Sequence, residues 1–143
     1  MARVLVVYHS RTGNTRAMAQ AVAEGVKEVA GVDVVLKEAE QVSVSDLIGA
    51  DALAFGSPTY FSYMAGVLKG ILDEAYLSRS QMRGKPFVAF ASGGGGQIRS
   101  VVGVNYSCLL TTIIFAGSPP LGCDRSGCLA GAGLLCRYDS WGR

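Results

Sequence analysis

Short hydrophobic runs alternate in this chain with segments whose hydrophobic positions recur at helical spacing. Residues 3–8 (RVLVVY) form a β-branched apolar run that stops at a polar loop, as buried parallel strands do. Residues 32–36, 52–56 and 87–91 predict three more strands, and residues 45–47 a helical turn. Two amphipathic helices are predicted from spacings of three and four residues, one at Met18, Val22, Val26 and Val29 before Gly31, the other at Met64, Val67, Leu68, Ile71 and Leu72. This alternation predicts an α/β fold, a parallel sheet with helices on both faces.

The chain changes character near Ser92. Residues 1–91 hold 9 Lys+Arg and 9 Asp+Glu, whereas residues 92–143 hold 4 and 2. Residues 111–116 predict a fifth strand, but four glycines weaken the helices expected around it: Gly103, Gly127, Gly131 and Gly133. This composition resembles a shifted reading frame or a divergent end more than a native carboxyl terminus. We therefore expect one domain, residues 1–143, with an atypical part at 92–143.

The four cysteines also lie in this later part, at Cys108, Cys123, Cys128 and Cys136. Their spacing lacks the close Cys pairs of zinc sites and has no histidine nearby, so no metal site is predicted.

Charge and hydropathy exclude several classes of protein. The net charge is +2 and the basic residues are not clustered, which argues against nucleic-acid binding. No run approaches the about 18 apolar residues of a membrane span, and the amino terminus lacks the features of a secretory signal. We expect a cytoplasmic protein with reduced cysteines.

The first predicted strand ends at a loop suited to a phosphate group: Ser10, Arg11, Thr12, Gly13, Asn14 and Thr15. Between a strand and a helix, backbone N–H groups and the helix dipole attract an anion, and three hydroxyls add donors. The alternative is an ordinary capped turn. A triphosphate-binding P-loop is excluded in its usual form because the chain has no Gly-Lys-Ser/Thr. A phosphatase of the phosphotyrosine type would need a cysteine in this loop, and none occurs before Cys108.

Two more predicted strand ends carry candidate ligand contacts. After the third strand come Ser57, Pro58, Thr59, Tyr60 and Phe61, whose aromatic rings offer a flat ligand a stacking surface. The alternative is a hydrophobic staple onto the following helix. After the fourth strand, Ser92, Gly93, Gly94 and Gly95 allow a ring to lie against the backbone.

The chain resembles the flavodoxin-like family, especially flavodoxins and WrbA-type NAD(P)H:quinone oxidoreductases. The resemblance rests on three segments, which are SRTGNT, GSPTYF continuing through MAGVLKGILDE, and the glycine-rich loop. The resemblance covers residues 1 to about 99 and implies a three-layer sandwich, with a five-stranded parallel sheet of order 2-1-3-4-5 and flavin mononucleotide (FMN) at its carboxyl ends. By resemblance, residues 10–15 would hold the phosphate, residues 59–61 would flank the isoalloxazine, and residues 92–95 would contact its pyrimidine side.

The resemblance leaves three functions open. The first is an electron carrier between partner proteins. The second is an enzyme that takes hydride from NAD(P)H and passes it to a quinone, for which no catalytic acid or base is predicted. The third is a binding module without FMN. Two departures from typical flavodoxins favour the enzyme: a pI near 8.4, and the lack of a glycine between Gly56 and Gly66. The shorter length favours the carrier. Homo-oligomerisation stays open, and His9 beside the phosphate loop is expected to be structural.

Overall fold

The computed structural model describes residues 1–93, together with Val104 and Ile114–Phe115. Several predictions therefore lie outside the described residues. These are the contacts of Gly94 and Gly95, the surroundings of the four cysteines, and the glycine-weakened helices of the later part.

The described chain alternates strands and helices as the sequence predicts. The strands are β1 (Ala2–Tyr8), β2 (Val32–Glu38), β3 (Ala52–Tyr60), β4 (Tyr63–Met64), β5 (Pro86–Ser92) and β6 (Ile114–Phe115). The helices are α1 (Asn14–Lys27), α2 (Val44–Gly49) and α3 (Gly66–Ala75), with 3-10 segments at Ala39–Gln41 and Tyr76–Met82.

Five of the strands pair in parallel in the order β2-β1-β3-β5-β6, while β4 pairs antiparallel with β3. In chain order the parallel strands follow 2-1-3-4-5, so the predicted fold and topology are confirmed. The chain runs from β1 to β2 on one side and returns to β3 on the other. The carboxyl ends of β1 and β3 thus form a topological switch point, where ligands bind in such sheets.

Two hydrophobic clusters cover the two faces of the sheet. One packs α2 and α3 against the sheet through Leu47, Leu68 and Phe87. The other packs α1 against it through Ala19, Ala23 and Phe90. Helices therefore lie on both faces. Within the described residues, no helix has the length and hydrophobicity that a membrane crossing requires.

Helix α1 ends earlier than predicted, and the residues that it buries most deeply are not the predicted ones. It ends at Lys27, so Val29 lies in the following turn and is 54% exposed, and Gly31 (φ 79°) lies in that turn. The most buried side chains are Thr15, Ala19 and Ala23, because small residues let the helix approach the sheet. The larger Met18 and Val22 pack beside them and are partly buried.

Strand β3 is longer than predicted. The sequence placed its end at Gly56 and a turn at Pro58, whereas the strand continues to Tyr60. The extension stays extended because its neighbours pair with it: Pro58 lies opposite Ser92 of β5, and Thr59 lies opposite Met64 of β4. Met64 is therefore in a strand, and α3 begins two residues later than predicted.

Polar side chains fix both ends of the short helix α2. Ser43 and Asp46 form a reciprocal capping box at its start. At its end, Lys85 Nζ donates to the carbonyl oxygens of Leu47 (3.2 Å) and Ile48. Burial lowers the pKa of Lys85.

Candidate functional site

The three strand ends singled out in the sequence lie side by side. Tyr8 of β1 is opposite Gly56 of β3, and Pro58 of β3 is opposite Ser92 of β5. Beyond β1, the backbone N–H of His9 donates to the carbonyl oxygen of Gly56 at 3.1 Å. The candidate site is therefore built at one edge of the sheet, around the switch point.

The loop between β1 and α1 adopts a geometry suited to an anion. Gly13 has φ 91°, a left-handed conformation that side chains rarely adopt, and no side chain caps the start of α1. The first turn of α1 contains no acidic residue. Ser10 Oγ accepts from the N–H of Gly13 at 3.1 Å, which folds the loop back on itself. Free helical N–H groups without a competing carboxylate match the donors that a phosphate needs.

The three hydroxyls of this loop occupy different environments. Thr12 is exposed, and its Oγ1 accepts from Asn14 Nδ2 at 3.4 Å. Thr15 is buried, with 1% of its surface exposed, and its Oγ1 lies 2.7 Å from Ser92 Oγ. Thr15 thus joins the loop to the end of β5, whereas Thr12 is exposed and Ser10 is bonded within the loop.

Ser57 lies beneath the third strand end. It is fully buried, and its Oγ accepts from the N–H of Ala65 at 2.8 Å and donates to the carbonyl oxygen of Pro58 at 2.8 Å. These bonds tie β3 to the start of α3. Its hydroxyl is therefore engaged in supporting the loop above it.

The aromatic pair predicted to flank a flavin lies at the tip of a β-hairpin. Thr59 and Tyr60 pair with Met64 and Tyr63, which leaves Phe61 and Ser62 as a two-residue turn. Both turn residues have positive φ, 49° and 62°. Phe61 is fully exposed. A turn of this kind favours Asn-Gly, so both residues are strained here.

At the fourth strand end, Ser92 is 8% exposed and Gly93 follows it in irregular structure. Gly94 and Gly95 lie outside the described residues. One further contact fixes this edge: Gly56 lies against the ring of Phe90, and a Cβ at residue 56 would be 2.3 Å from Phe90 Cε2.

A cleft of ≈ 580 Å³ adjoins the site, lined by His9, Arg11 and residues 59–61 and 65–67. His9 Nδ1 lies 2.6 Å from Glu40 Oε1, and its ring meets the ring of Tyr60 edge-on at a centroid distance of 6.2 Å. The sequence did not assign His9, Glu40 or residues 65–67 to a site. His9 was recognisable by its place beside the loop, but no local pattern connects it with Glu40, which is 31 positions away.

Within the described part of the chain, the His, Cys, Asp and Glu side chains form no group that could hold a metal ion.

Comparison with known proteins identifies the family. Residues 6–97 match the family model described as flavodoxin. A flavodoxin of Aquifex aeolicus is 40% identical over 96 residues, which cover 66% of this chain and 52% of that protein. The match thus spans about half the length of that relative.

Two further relatives extend the match. An NAD(P)H dehydrogenase (quinone) of Geotalea daltonii is 31% identical over 146 aligned positions, covering 82% of this chain and 71% of that protein. The crystal structure of a WrbA-like flavodoxin from Agrobacterium tumefaciens superimposes with a TM-score of 0.67 at 26% identity, covering 80% of this chain and 76% of that one. The resemblance drawn from the three strand ends is confirmed, and the chain belongs to the flavodoxin family.

Proposed function

We propose that this flavodoxin-family redox protein binds FMN and carries electrons between partner proteins. The observation that carries the proposal is the loop after β1, where the start of α1 has no side-chain cap and no acidic residue and turns on a left-handed Gly13. A phosphate monoester supplies the negative charge and acceptor oxygens that such a helix start lacks.

The residues around the loop fit the other parts of FMN. The centroid of the Tyr60 ring lies 5.8 Å from the guanidinium of Arg11 in the loop, and Tyr60 and Phe61 offer apolar ring surface to an isoalloxazine. Ser57 holds the hairpin that carries them, and Thr15 holds the loop against β5. When bound, FMN would supply the redox chemistry. The described residues would bind the phosphate, orient the ring and exclude water from one of its faces.

A second candidate is an FMN-dependent NAD(P)H:quinone oxidoreductase. It is favoured by the relative of that name, whose match covers 82% of this chain, more than the flavodoxin match does. The basic pI of 8.4 favours it too, because carriers that dock on basic partners are acidic. NAD(P)H and a quinone would then take the place of the protein partners.

Binding of FMN and of riboflavin by the same preparation tests the phosphate assignment. We expect FMN to bind far more tightly than riboflavin, by fluorescence quenching, because only FMN has the phosphate. Replacing Thr12 with Val should weaken FMN binding by about tenfold to a hundredfold through a lost hydrogen bond to a charged group, and leave riboflavin unchanged. Ser80→Ala removes an exposed hydroxyl away from the loop and is the control. Equal affinity for FMN and riboflavin would contradict the proposal.

The two candidate functions separate in an anaerobic reduction of the FMN-loaded protein. The enzyme should oxidise NADH or NADPH rapidly and catalytically when a quinone is added. The carrier should oxidise neither at a significant rate, yet accept electrons from a flavodoxin reductase. Rapid quinone-dependent turnover would overturn the carrier in favour of the enzyme.

A further inference from the structure

The imidazole of His9 lies between a carboxylate and an aromatic ring. Its Nδ1 is 2.6 Å from Glu40 Oε1, and its ring meets the Tyr60 ring edge-on, with 80° between the two planes and 6.2 Å between the centroids. The backbone N–H of His9 donates to the carbonyl oxygen of Gly56 at 3.1 Å. The imidazole is therefore held in place beside the ring that is proposed to flank the flavin.

The hydrogen bond with Glu40 leaves one imidazole nitrogen free to gain or lose a proton. An ionised carboxylate can only accept, so Nδ1 carries a hydrogen in both the neutral and the protonated imidazole, and the proton comes and goes at Nε2. The His9 side chain is 12% exposed, whereas that of Glu40 is 47% exposed. Solvent therefore screens a charge on the imidazole only in part.

The charged and titratable groups around His9 come from three elements. Glu40 belongs to the 3-10 segment after β2, Tyr60 ends β3, and Arg11 lies in the loop after β1 with its guanidinium 5.8 Å from the Tyr60 centroid. Residues 65–67 at the start of α3 line the same cleft and carry no charge. Among the described residues, no carboxylate pairs with Arg11. A protonated His9 would therefore be the second cation beside Tyr60, with one carboxylate between them in charge balance.

The neighbouring carboxylate, Glu38, is bonded elsewhere. Its Oε1 accepts hydrogen bonds from Arg16 and from the hydroxyl of Tyr8, which packs in the cluster against α1. In the part of the chain that the structure describes, Glu40 is thus the one carboxylate paired with His9.

We propose that His9 takes up a proton from solvent when bound FMN is reduced. The electrons come from the partner protein or from NAD(P)H. Two electrons and one proton added to the flavin, the proton at N5, leave it with one more negative charge. A nearby negative charge favours a protonated imidazole, so a second proton forms an N–H bond at Nε2 and the net charge of the site is unchanged. This role rests on the FMN binding proposed above.

The ¹⁵N signals of the imidazole test the proton uptake in the original protein, because His9 is the only histidine. FMN-loaded protein is compared in the oxidised form and after reduction with dithionite, at several pH values between about 5 and 8. Near neutral pH we expect the Nε2 signal to move towards that of a protonated imidazole on reduction, while Nδ1 keeps its hydrogen. Identical signals in the two redox states would overturn the proposal.

Reduction potentials of matched variants separate proton uptake from a purely structural role. In His9→Gln the amide keeps a donor for Glu40 but takes up no proton. With rising pH, the potential of the original protein should fall more steeply than that of His9→Gln, by about one proton for every two electrons. Glu40→Gln removes the negative charge and should move this steeper range to lower pH. Equal pH dependence in the original protein and His9→Gln would overturn the proposal.

A charge variant elsewhere serves as the control. Arg79→Gln removes an exposed charge outside the cleft and should leave the pH dependence of the potential unchanged. If the protein binds no FMN in a fluorescence titration, the proposed function and the proton uptake are both wrong. If FMN binds and His9 keeps one protonation state on reduction, only the proton uptake is wrong.

Discussion

Thr15 Oγ1 and Ser92 Oγ lie 2.7 Å apart in the protein interior, although 77 positions separate them in the chain. Thr15 is in the first turn of α1 and Ser92 is the last residue of β5, so this one bond joins two of the three strand ends. Only 1% of Thr15 and 8% of Ser92 are exposed. The relative position of these two strand ends therefore depends on the Thr15 hydroxyl, which the sequence analysis assigned to phosphate binding.

Thr15→Val should destabilise the protein whether or not FMN is present. The change preserves shape but leaves the Ser92 hydroxyl buried without this partner, at a cost of about 1–2 kcal/mol in the free energy of unfolding. Urea unfolding measures this cost.

Two variants serve as controls for that result. Thr15→Val combined with Ser92→Ala should cost less than the sum of the single changes, because both remove the same bond. Thr12→Val, at an exposed position, should change stability by less than about 0.5 kcal/mol. Equal loss of stability in Thr12→Val and Thr15→Val would contradict a structural role that is special to Thr15.

Gly56→Ala should destabilise β3 and the site above it. The added Cβ would lie 2.3 Å from Phe90 Cε2, a distance that real side chains do not tolerate, so the ring has to shift within a packed cluster. We expect a loss of about 1–3 kcal/mol in the free energy of unfolding. Phe90→Leu in the same chain should recover part of the loss by removing the ring.

The matched control is Gly70→Ala on the exposed side of α3. A Cβ there meets nothing within 4 Å, and alanine favours a helix over glycine by about 0.5–1 kcal/mol. The two substitutions should therefore change stability in opposite directions. A stabilising Gly56→Ala would show that Phe90 moves without cost.

Local patterns predict the fold well because the hydrophobic pattern of each strand and helix lies within a short stretch of chain. The β-branched run of β1, the helical spacing around Ile71, and the polar loop between β1 and α1 all lie where the sequence places them. The order of the strands then follows from the resemblance and the handedness of βαβ connections.

The contacts that shape the site join residues far apart in the chain. The hydrogen bond from the N–H of Ala65 to Ser57 and the pairing of Pro58 with Ser92 extend β3 past its predicted end. No local pattern reveals these partners. The sequence therefore predicts which residues lie near the site. It does not predict which of their hydroxyl groups hydrogen-bond to other parts of the protein and which are exposed to solvent.

The Asp46 carboxylate should stabilise the protein at neutral pH but not at strongly acidic pH. Its hydrogen bond with Lys37 and those with the Ser43 backbone and hydroxyl lower the pKa of Asp46 from its ordinary 3.8 to about 2. A lowered pKa means that the stabilisation is fully present above about pH 4 and is lost as the pH falls through 2. Because the side chain is 29% exposed, we expect Asp46→Asn to cost only about 1 kcal/mol near neutral pH.

Thermal or urea unfolding at several pH values measures this dependence. The difference between the original protein and Asp46→Asn should shrink from pH 4 to pH 2. Asp73→Asn is the control, because Asp73 pairs with Lys69 on an exposed helix surface, where ion pairs contribute less than about 0.5 kcal/mol. A difference that grows toward low pH would refute the assigned role of Asp46.

Replacing Phe61-Ser62 with Asn-Gly should stabilise the hairpin and weaken FMN binding. Both residues have positive φ, which Asn and Gly adopt at lower cost, so we expect a gain of about 1–2 kcal/mol in the free energy of unfolding. Phe61 is fully exposed, so its loss removes no packing in the protein without ligand. FMN affinity should nevertheless fall, because the aromatic ring is expected to flank the isoalloxazine. Urea unfolding and FMN titration measure the two effects.

The single variant Ser62→Gly separates the effect of backbone strain in the turn from the effect of a contact between the Phe61 ring and FMN. It relieves one strained residue and keeps Phe61, so it should raise stability while FMN affinity is retained. If the single and double variants bind FMN equally, the Phe61 ring makes no contact with the flavin. If neither variant gains stability, the positive φ values carry no strain. Backbone strain at a fully exposed aromatic residue is typical of a functional site, which is why both effects are measured on the same variants.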